Sequence, residues 1–372
     1  ETWGLVAWDF MDPEDRDKIL AGMFRQTLKR AKATMPIYAQ SRAYGDVYPG
    51  SFESMDQLVE LPVLVKDGEE GFRHKVRKNP LLLKPTDKSV LMTPYLSGGT
   101  GIDSETVGKS TPTWITEQDL ERESLALALR CFIPGGLSKK MKFMNLYNLA
   151  HKGGEEIRRA VTHLDAEVFL PRRPEDSIDH CLEYMSVFGI TAIAAVPQSP
   201  KDSKSAPKGG AISFEELYAR KAELFGSKGT VKNAFVTGFA IPESVIRLAD
   251  RNSLRLFTTW GSSEAIPGAT STVLGPSTRL CKYNNQHVLP FPHYLSVVEM
   301  SKQPRLCKPG EQGLLLLTTI ARDGTLFVNY AIGDRATVVA YTCDCGRTTP
   351  VIGKIHRGDN LAELAGGGCR YA

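Results

Sequence analysis

ITAIAAVP, residues 190–197, is a short apolar and β-branched run that stops at a proline, and it is one of a series. SVLMTPYL (89–96), KKMKFMNLYNL (139–149), AEVFLP (166–171), NAFVTGF (233–239) and LRLFTTWG (254–261) have the same character. Between them lie stretches with helical spacing, 117–131, 174–188 and 243–251. Strand-like runs that alternate with helices predict an α/β fold with largely parallel sheets covered by helices.

Further out, residues 14–46 place Ile19, Leu20, Met23, Phe24, Leu28 and Ala31 at helical spacing, and Pro36 closes the pattern. Residues 1–75 therefore read as a helical lead-in to an α/β core over 76–280. Within that core, SPKDSKSAPKGGAIS (199–213) is a polar surface loop or insertion. Over 281–352 the pattern changes to closely spaced strands such as YLSVVEM (294–300), GLLLLTTI (313–320), TLFVNYA (325–331) and ATVVAYT (336–342), separated by Gly and Asp turns. A smaller β-rich, more antiparallel subdomain is expected there.

With 372 residues, 42% hydrophobic and 24% charged, the chain can bury one large core or two modest ones. Its 46 Lys and Arg against 42 Asp and Glu are dispersed apart from KSAPK (204–208), which is no electrostatic footprint for nucleic acid. No stretch approaches the roughly 18 apolar residues of a membrane span. The start, Glu1-Thr2-Trp3, has no basic region followed by an apolar run, so a signal peptide is not expected. Seven cysteines without even spacing read as a reduced protein, with the cytoplasm as the expected compartment.

Five stretches carry chemistry. LSGGTG (96–101) precedes Lys109-Ser110-Thr111. Glycines let backbone N–H groups close around phosphate oxygens, while the hydroxyls of Ser97 and Thr100 and a lysine add donors and charge. No Gly-Lys-Ser/Thr closes it at Walker spacing. TTWGSSEA (258–265) ends a strand with one carboxylate, Glu264, among hydroxyls, and hard oxygen donors of this kind suit Mg²⁺. KPGEQGLLLLTT (308–319) leads into a strand, NYAIGD (329–334) ends on Asp334, and GKIHRGDN (353–360) carries Arg357 and Asp359. Any one of these in isolation is more often a turn or a strand junction.

In this order and at about these spacings, the five stretches resemble the motifs of the adenylate-forming superfamily. The helix ending MPIYAQ (35–40) and the following SFESMDQLVELPVLVKD (51–67) resemble the lead-in of its phenylacetate–coenzyme A ligase branch. The resemblance implies that residues 1–360 are the large N-terminal domain of that fold, with two mixed or parallel β-sheets covered by helices plus the β-rich subdomain. Residues 353–372 would be the hinge and the start of a C-terminal lid domain, which this chain does not contain. The implied activity is ATP- and Mg²⁺-dependent conversion of a carboxylic acid to an acyl-adenylate with release of pyrophosphate, followed by thioester formation with coenzyme A.

By the same resemblance, Ser97, Gly98, Gly99, Thr100 and Gly101 cradle the β- and γ-phosphates of ATP, and Lys109 is the loop lysine. Trp260, Gly261, Ser262, Ser263 and Glu264 match an aromatic-Gly-x-Ser-Glu element in which the glutamate holds Mg²⁺. Asp334 accepts hydrogen bonds from both ribose hydroxyls, Arg357 touches the nucleotide, and Gly238 and Phe239 lie on the adenine side. The acid is expected among Tyr147, Asn148, Pro197, Gly238 and Trp260, beside Val196 and Gly261, where aromatic and proline walls favour a flat aryl or arylacetic group. The chain departs from the family in residues 102–108, which interrupt the glycine loop, and in Ala331, Asn360 and Gly238-Phe239-Ala240. The same residues would also serve an enzyme that passes the acyl group to a carrier protein, an amine or another nucleophile. A non-catalytic nucleotide-binding protein is the alternative from another class. A homodimer is a family-level expectation.

The cysteines carry a separate reading. Cys281 and His287 precede Cys343-Asp344-Cys345, and three thiolates with one imidazole make a tetrahedral zinc set. His293 is the competing imidazole, and four unliganded residues are the alternative. The run CDCGRT (343–348) resembles a stretch that accompanies a structural zinc in some family members. Cys131, Cys181, Cys307 and Cys369 read as buried or incidental thiols.

Overall fold

The structure is a computed structural model that describes residues 6–65, 75–76, 78–87, 91–96, 112–149, 151–171, 178–198, 212–271, 281–301 and 303–358. The expected phosphate loop 97–101, residues 102–108, Lys109, most of the 199–213 loop, Asp359, Asn360 and Cys369 lie outside the described residues. The chain divides into two compact units, one of them residues 97–110 and 121–286, the other the remainder.

The 121–286 unit is built on five strands, β1 (Lys142–Asn145), β2 (Glu167–Phe169), β3 (Ala192–Ala195), β4 (Asn233–Val236) and β5 (Arg255–Phe257). They lie in the order β2-β1-β3-β4-β5, and every neighbouring pair is parallel. Parallel neighbours need a crossover. Helices α1 (Lys152–Thr162), α2 (Ile178–Phe188), α3 (Phe214–Arg220) and α4 (Glu243–Arg251) supply one each. All four residues of β3 and of β4 are buried, which is why these runs read as continuously apolar.

Successive side chains of a strand point to opposite faces. Met144, Ile193, Ala234, Val236 and Leu256 join one core with Leu182, Met185, Phe214, Leu217 and Val245 from the helices. The intervening Phe143, Phe235 and Phe257 meet Phe132 on the other face, with ring centroids 4.9 to 6.1 Å from Phe132. Truncating one such ring to alanine costs about 3–5 kcal/mol. After β5 the chain folds back as an antiparallel hairpin, β6 (Thr259–Ser262) and β7 (Ala265–Thr270), with an irregular register between Ala265 and Ala269.

The other unit opens with the helix Pro13–Thr34, whose first turn is capped by the Asp12 carboxylate accepting from the Glu14 and Asp15 N–H groups. Leu20, Phe24, Leu28 and Ala31 are buried as the spacing predicts, whereas Ile19 is 46% exposed because it falls outside the buried stripe. Four strands, β8 (His293–Glu299), β9 (Gln312–Thr319), β10 (Tyr330–Ala340) and β11 (Val351–Arg357), pair antiparallel in chain order. Leu64–Val65 adds to β10 in parallel, so this sheet is mixed. Buried hydroxyls tie the N-terminal segment to the sheet's loops: Tyr38 donates to the Leu326 carbonyl at 3.0 Å and Thr27 to that of Ile320 at 2.6 Å. Among the described residues, no helix is long and apolar enough to cross a membrane.

Candidate active site

In an open parallel sheet with the order 2-1-3-4-5, ligands bind beyond the carboxyl ends of the strands, at the point where the order reverses. That point here lies between β1 and β3. Tyr147 follows β1, Val196 and Pro197 follow β3, and Gly238 and Phe239 follow β4, so five of the sequence-predicted pocket residues emerge at one end of the sheet. The Tyr147 hydroxyl lies 2.8 Å from the carbonyls of both Ala195 and Thr237 and accepts from the Thr237 N–H at 3.2 Å. Burial pushes this phenol well above its ordinary range. The hydroxyl therefore locks three strand ends together, leaving the ring as the part of Tyr147 that can line a pocket. Gly238 has φ +94°, a left-handed conformation that favours glycine, and Phe239 beside it is 45% exposed.

The β6–β7 turn brings Ser262, Ser263 and Glu264 to the end of β5. The β6 backbone is held from behind, because Trp260 N–H donates to Gln286 Oε1 at 2.6 Å and Thr237 Oγ1 donates to the Thr259 carbonyl at 2.6 Å. Glu264 is only 2% exposed. Ser262 Oγ is buried without a hydrogen-bond partner among the described residues. An orphaned hydroxyl beside a buried carboxylate fits an oxygen-seeking cation or a phosphate better than it fits a plain strand junction.

One side chain at this turn was not singled out from sequence. His151 N-caps α1, accepting the Gly153 N–H on Nδ1 at 3.1 Å, and its Nε2 lies 3.4 Å from Ser263 Oγ. Burial, reinforced by the neighbouring Lys152 charge, lowers its pKa, with Glu264 acting in the opposite sense. The signal in the sequence was a lone histidine followed by Gly153-Gly154 at a helix start, just past a buried strand. Lys152 turns the other way, into ion pairs with Glu123 at 2.5 Å and Glu156 at 2.7 Å, all three nearly fully buried. Two carboxylates facing one ammonium leave an excess negative charge, and burial raises the Glu156 pKa well above its ordinary value.

In the other unit, Asp334 and Arg357 are cross-strand partners on β10 and β11, with Arg357 Nη1 3.1 Å from Asp334 Oδ1 and 3.3 Å from the Ile332 carbonyl. The third carboxylate of interest, Glu311 in the Gly-Glu-x-Gly stretch, is held at about 2 by hydrogen bonds from Arg305 and the Lys308 N–H. It is a surface pair that closes a turn.

Cys343, Cys345 and His287 cluster with Cys281, which stands on the short segment leading to His287. The four ligand atoms all lie within 4.8 Å of one another. His287 Nδ1 is 2.8 Å from the Thr349 carbonyl, an acceptor, so Nδ1 carries the proton. In that tautomer Nε2 presents its lone pair, and it faces Cys345 Sγ at 3.2 Å. This is how a metal-binding imidazole is oriented from its far side. His293 is not in the cluster; its Nε2 faces Arg322 at 3.5 Å. Of the other cysteines, Cys131 and Cys181 are buried in the core, and burial pushes the Cys307 thiol up to about 11.

No protein-family model matches the chain, and no curated protein matches it in sequence. Solved structures match its fold. 2-Hydroxyisobutyryl-CoA ligase in the postadenylation state, in complex with 2-HIB-AMP, superposes with a TM-score of 0.75 at 15% identity, over 95% of this chain and 70% of that one. The same ligase in an open conformation with 2-HIB-AMP and CoA gives a TM-score of 0.75 at 16% identity, over 95% of this chain and 77% of that one. Its thioesterification-state complex gives 0.75 at 17% identity. The parallel 2-1-3-4-5 sheet, the mixed sheet of the second unit and these superpositions together show that the chain has the fold of the adenylate-forming acyl-CoA ligases.

Proposed function

We propose that this protein activates a carboxylic acid with ATP, forming an acyl-adenylate and pyrophosphate, and then transfers the acyl group to the thiol of coenzyme A with release of AMP. The observation that carries the reading is the buried Glu264 beside the orphaned Ser262 hydroxyl, placed where the strands of a parallel sheet end. That site carries the chemistry, because the fold alone hosts more than one acceptor chemistry.

In this reading the substrate carboxylate attacks the α-phosphorus in line and pyrophosphate leaves. No protein nucleophile is needed, and the chain's contribution is positioning and electrostatics. Glu264 and the neighbouring serine hydroxyls form an oxygen-rich donor set that suits Mg²⁺, and the bound ion would neutralise charge on the phosphates. Asp334 accepts the ribose hydroxyls, with Arg357 holding its carboxylate in place. Ser97 to Gly101 and Lys109 are assigned to the β- and γ-phosphates by resemblance. Coenzyme A is favoured as acceptor because the solved ligase of the same fold is captured with 2-HIB-AMP and CoA.

The acid is proposed to be aryl or arylacetic, since the Tyr147 ring, Pro197 and Trp260 offer flat apolar walls. The Cys281, His287, Cys343 and Cys345 set is proposed to hold a structural zinc ion, for which three thiolates and one oriented imidazole are a closed tetrahedral complement.

ATP–pyrophosphate exchange by the full-length protein against aryl, arylacetic and aliphatic acids tests the proposal, with Glu264→Gln as control. Exchange with one acid class that disappears in the variant supports it and names the substrate. Nucleotide binding without exchange for any acid would sink the adenylation reading.

A further inference from the structure

Resting on that adenylation reading, we propose that His151 is a positioning residue for the Ser263–Glu264 turn, delivering an Nε2–H donor to Ser263 from the N-cap of α1.

The tautomer follows from geometry. A backbone N–H can only donate, so Nδ1, which receives the Gly153 N–H at 3.1 Å, presents a lone pair and the neutral ring carries its proton on Nε2. That nitrogen is the one 3.4 Å from Ser263 Oγ. The ring is therefore a donor toward the turn, and Ser263 is left to aim its own proton elsewhere. One imidazole couples the helix start to the turn that carries the candidate cation ligand.

The mounting is rigid on both sides. A Cβ on Gly154 would fall 2.2 Å from the Asn148 carbonyl oxygen, and one on Gly153 would fall 3.1 Å from Ile266 Cδ1 on β7. Asn145, the last residue of β1, donates through Nδ2 to the Gly154 carbonyl at 2.9 Å. The next residue, Lys152, is anchored by Glu123 and Glu156 in the interior. With the backbone pinned on both sides of His151, its ring has little freedom except rotation about its own side-chain bonds, and the cap restricts that rotation. Residues that orient a ligand-bearing group from behind typically change activity 10- to 100-fold when lost.

Asparagine and glutamine separate the two nitrogens of the ring. His151→Asn keeps an acceptor where Nδ1 was and is a favourable cap, so the helix start is preserved, but it is too short to reach Ser263. His151→Gln places its amide near the Nε2 position. The expected result is that His151→Asn melts close to the wild type, loses about 10- to 100-fold in kcat for ATP–pyrophosphate exchange and keeps its acid KM within about twofold, while His151→Gln recovers most of kcat. Wild-type kcat in His151→Asn, or no recovery in His151→Gln, would overturn the proposal. A readout independent of turnover is the ¹⁵N spectrum of histidine-labelled protein. A protonated Nε2 that shifts in Ser263→Ala supports the contact; an unprotonated Nε2, or one indifferent to Ser263→Ala, overturns it. If the wild type exchanges with no acid, the adenylation reading fails first, and the spectrum still decides whether His151 donates to Ser263.

Discussion

Arg357 and Asp334, from two different sequence motifs, face each other across β10 and β11 with the guanidinium 3.1 Å from the carboxylate. Gly333 makes the approach feasible: its φ is +100°, and a Cβ there would fall 3.3 Å from Arg357 Cζ. A partly exposed pair of this kind is worth about 0–1 kcal/mol, so its purpose is orientation rather than stability.

If Asp334 holds the ribose, Asp334→Asn raises the Kd for ATP by about 10- to 100-fold, the range for hydrogen bonds to a charged group. The melting temperature moves by only a few degrees. Titration calorimetry with ATP checks this, and an unchanged Kd removes Asp334 from the nucleotide site.

The Cys281, His287, Cys343 and Cys345 cluster predicts about one zinc ion per chain by elemental analysis. Cys345→Ser or His287→Ala is expected to lose the metal and lower the melting temperature, and chelation of the wild type should do the same. Because the ligands must be deprotonated to bind, zinc release is expected to grow as pH falls. A metal-free protein with unaltered stability in both variants would contradict the assignment.

The buried Glu123, Lys152 and Glu156 set gives a pH dependence with a definite sign. Glu156 in the folded protein titrates well above its ordinary 4.5, chiefly because of burial. The folded state thus holds a proton that the unfolded chain has released, so this contribution is full below about 4.5 and is lost as pH rises through the folded pKa. Glu156→Gln cannot ionise, and urea unfolding should show it gaining on the wild type between pH 5 and pH 9. Lys152→Met instead removes the cation between Glu123 and Glu156 in the interior and costs about 3–5 kcal/mol. A constant difference between Glu156→Gln and wild type across that range would mean that Glu156 is already ionised.

Tyr147→Phe isolates the strand-locking hydroxyl from the ring. Removing the hydroxyl unpairs the Thr237 N–H and a strand-end carbonyl, costing about 1–3 kcal/mol in chemical denaturation. Acid KM should hold within a few-fold, because the hydroxyl is already spent on backbone. A large KM effect with no loss of stability would place that hydroxyl on the substrate.

Much of the molecule was legible along the chain. The runs at 139–149, 166–171, 190–197, 233–239 and 254–261 each contain one strand of the parallel sheet, most plainly 190–197, whose strand Ala192–Ala195 is buried and apolar at every position. The strand-rich stretch after 281 likewise reads from its spacing and turns. The Ser262–Glu264 turn and the Asp334 and Arg357 motifs were readable only as a resemblance, each resting on a few residues close in sequence. Ile19 marks the limit of periodicity: it fits the helical spacing and still lies 46% exposed, since the stripe's edge is set by what packs against it.

Only the tertiary structure decided which distant residues meet. His151 and Ser263 are 112 positions apart, Lys152 and Glu123 are 29 apart, and Cys345 meets His287, 58 positions away on a different strand from His293. The sequence by itself determined the local elements and the chemical groups available at their ends, because propensity and periodicity act over a few residues. Strand order and register determined the pairing of those groups, because bringing together residues far apart in the chain depends on how the whole sheet closes.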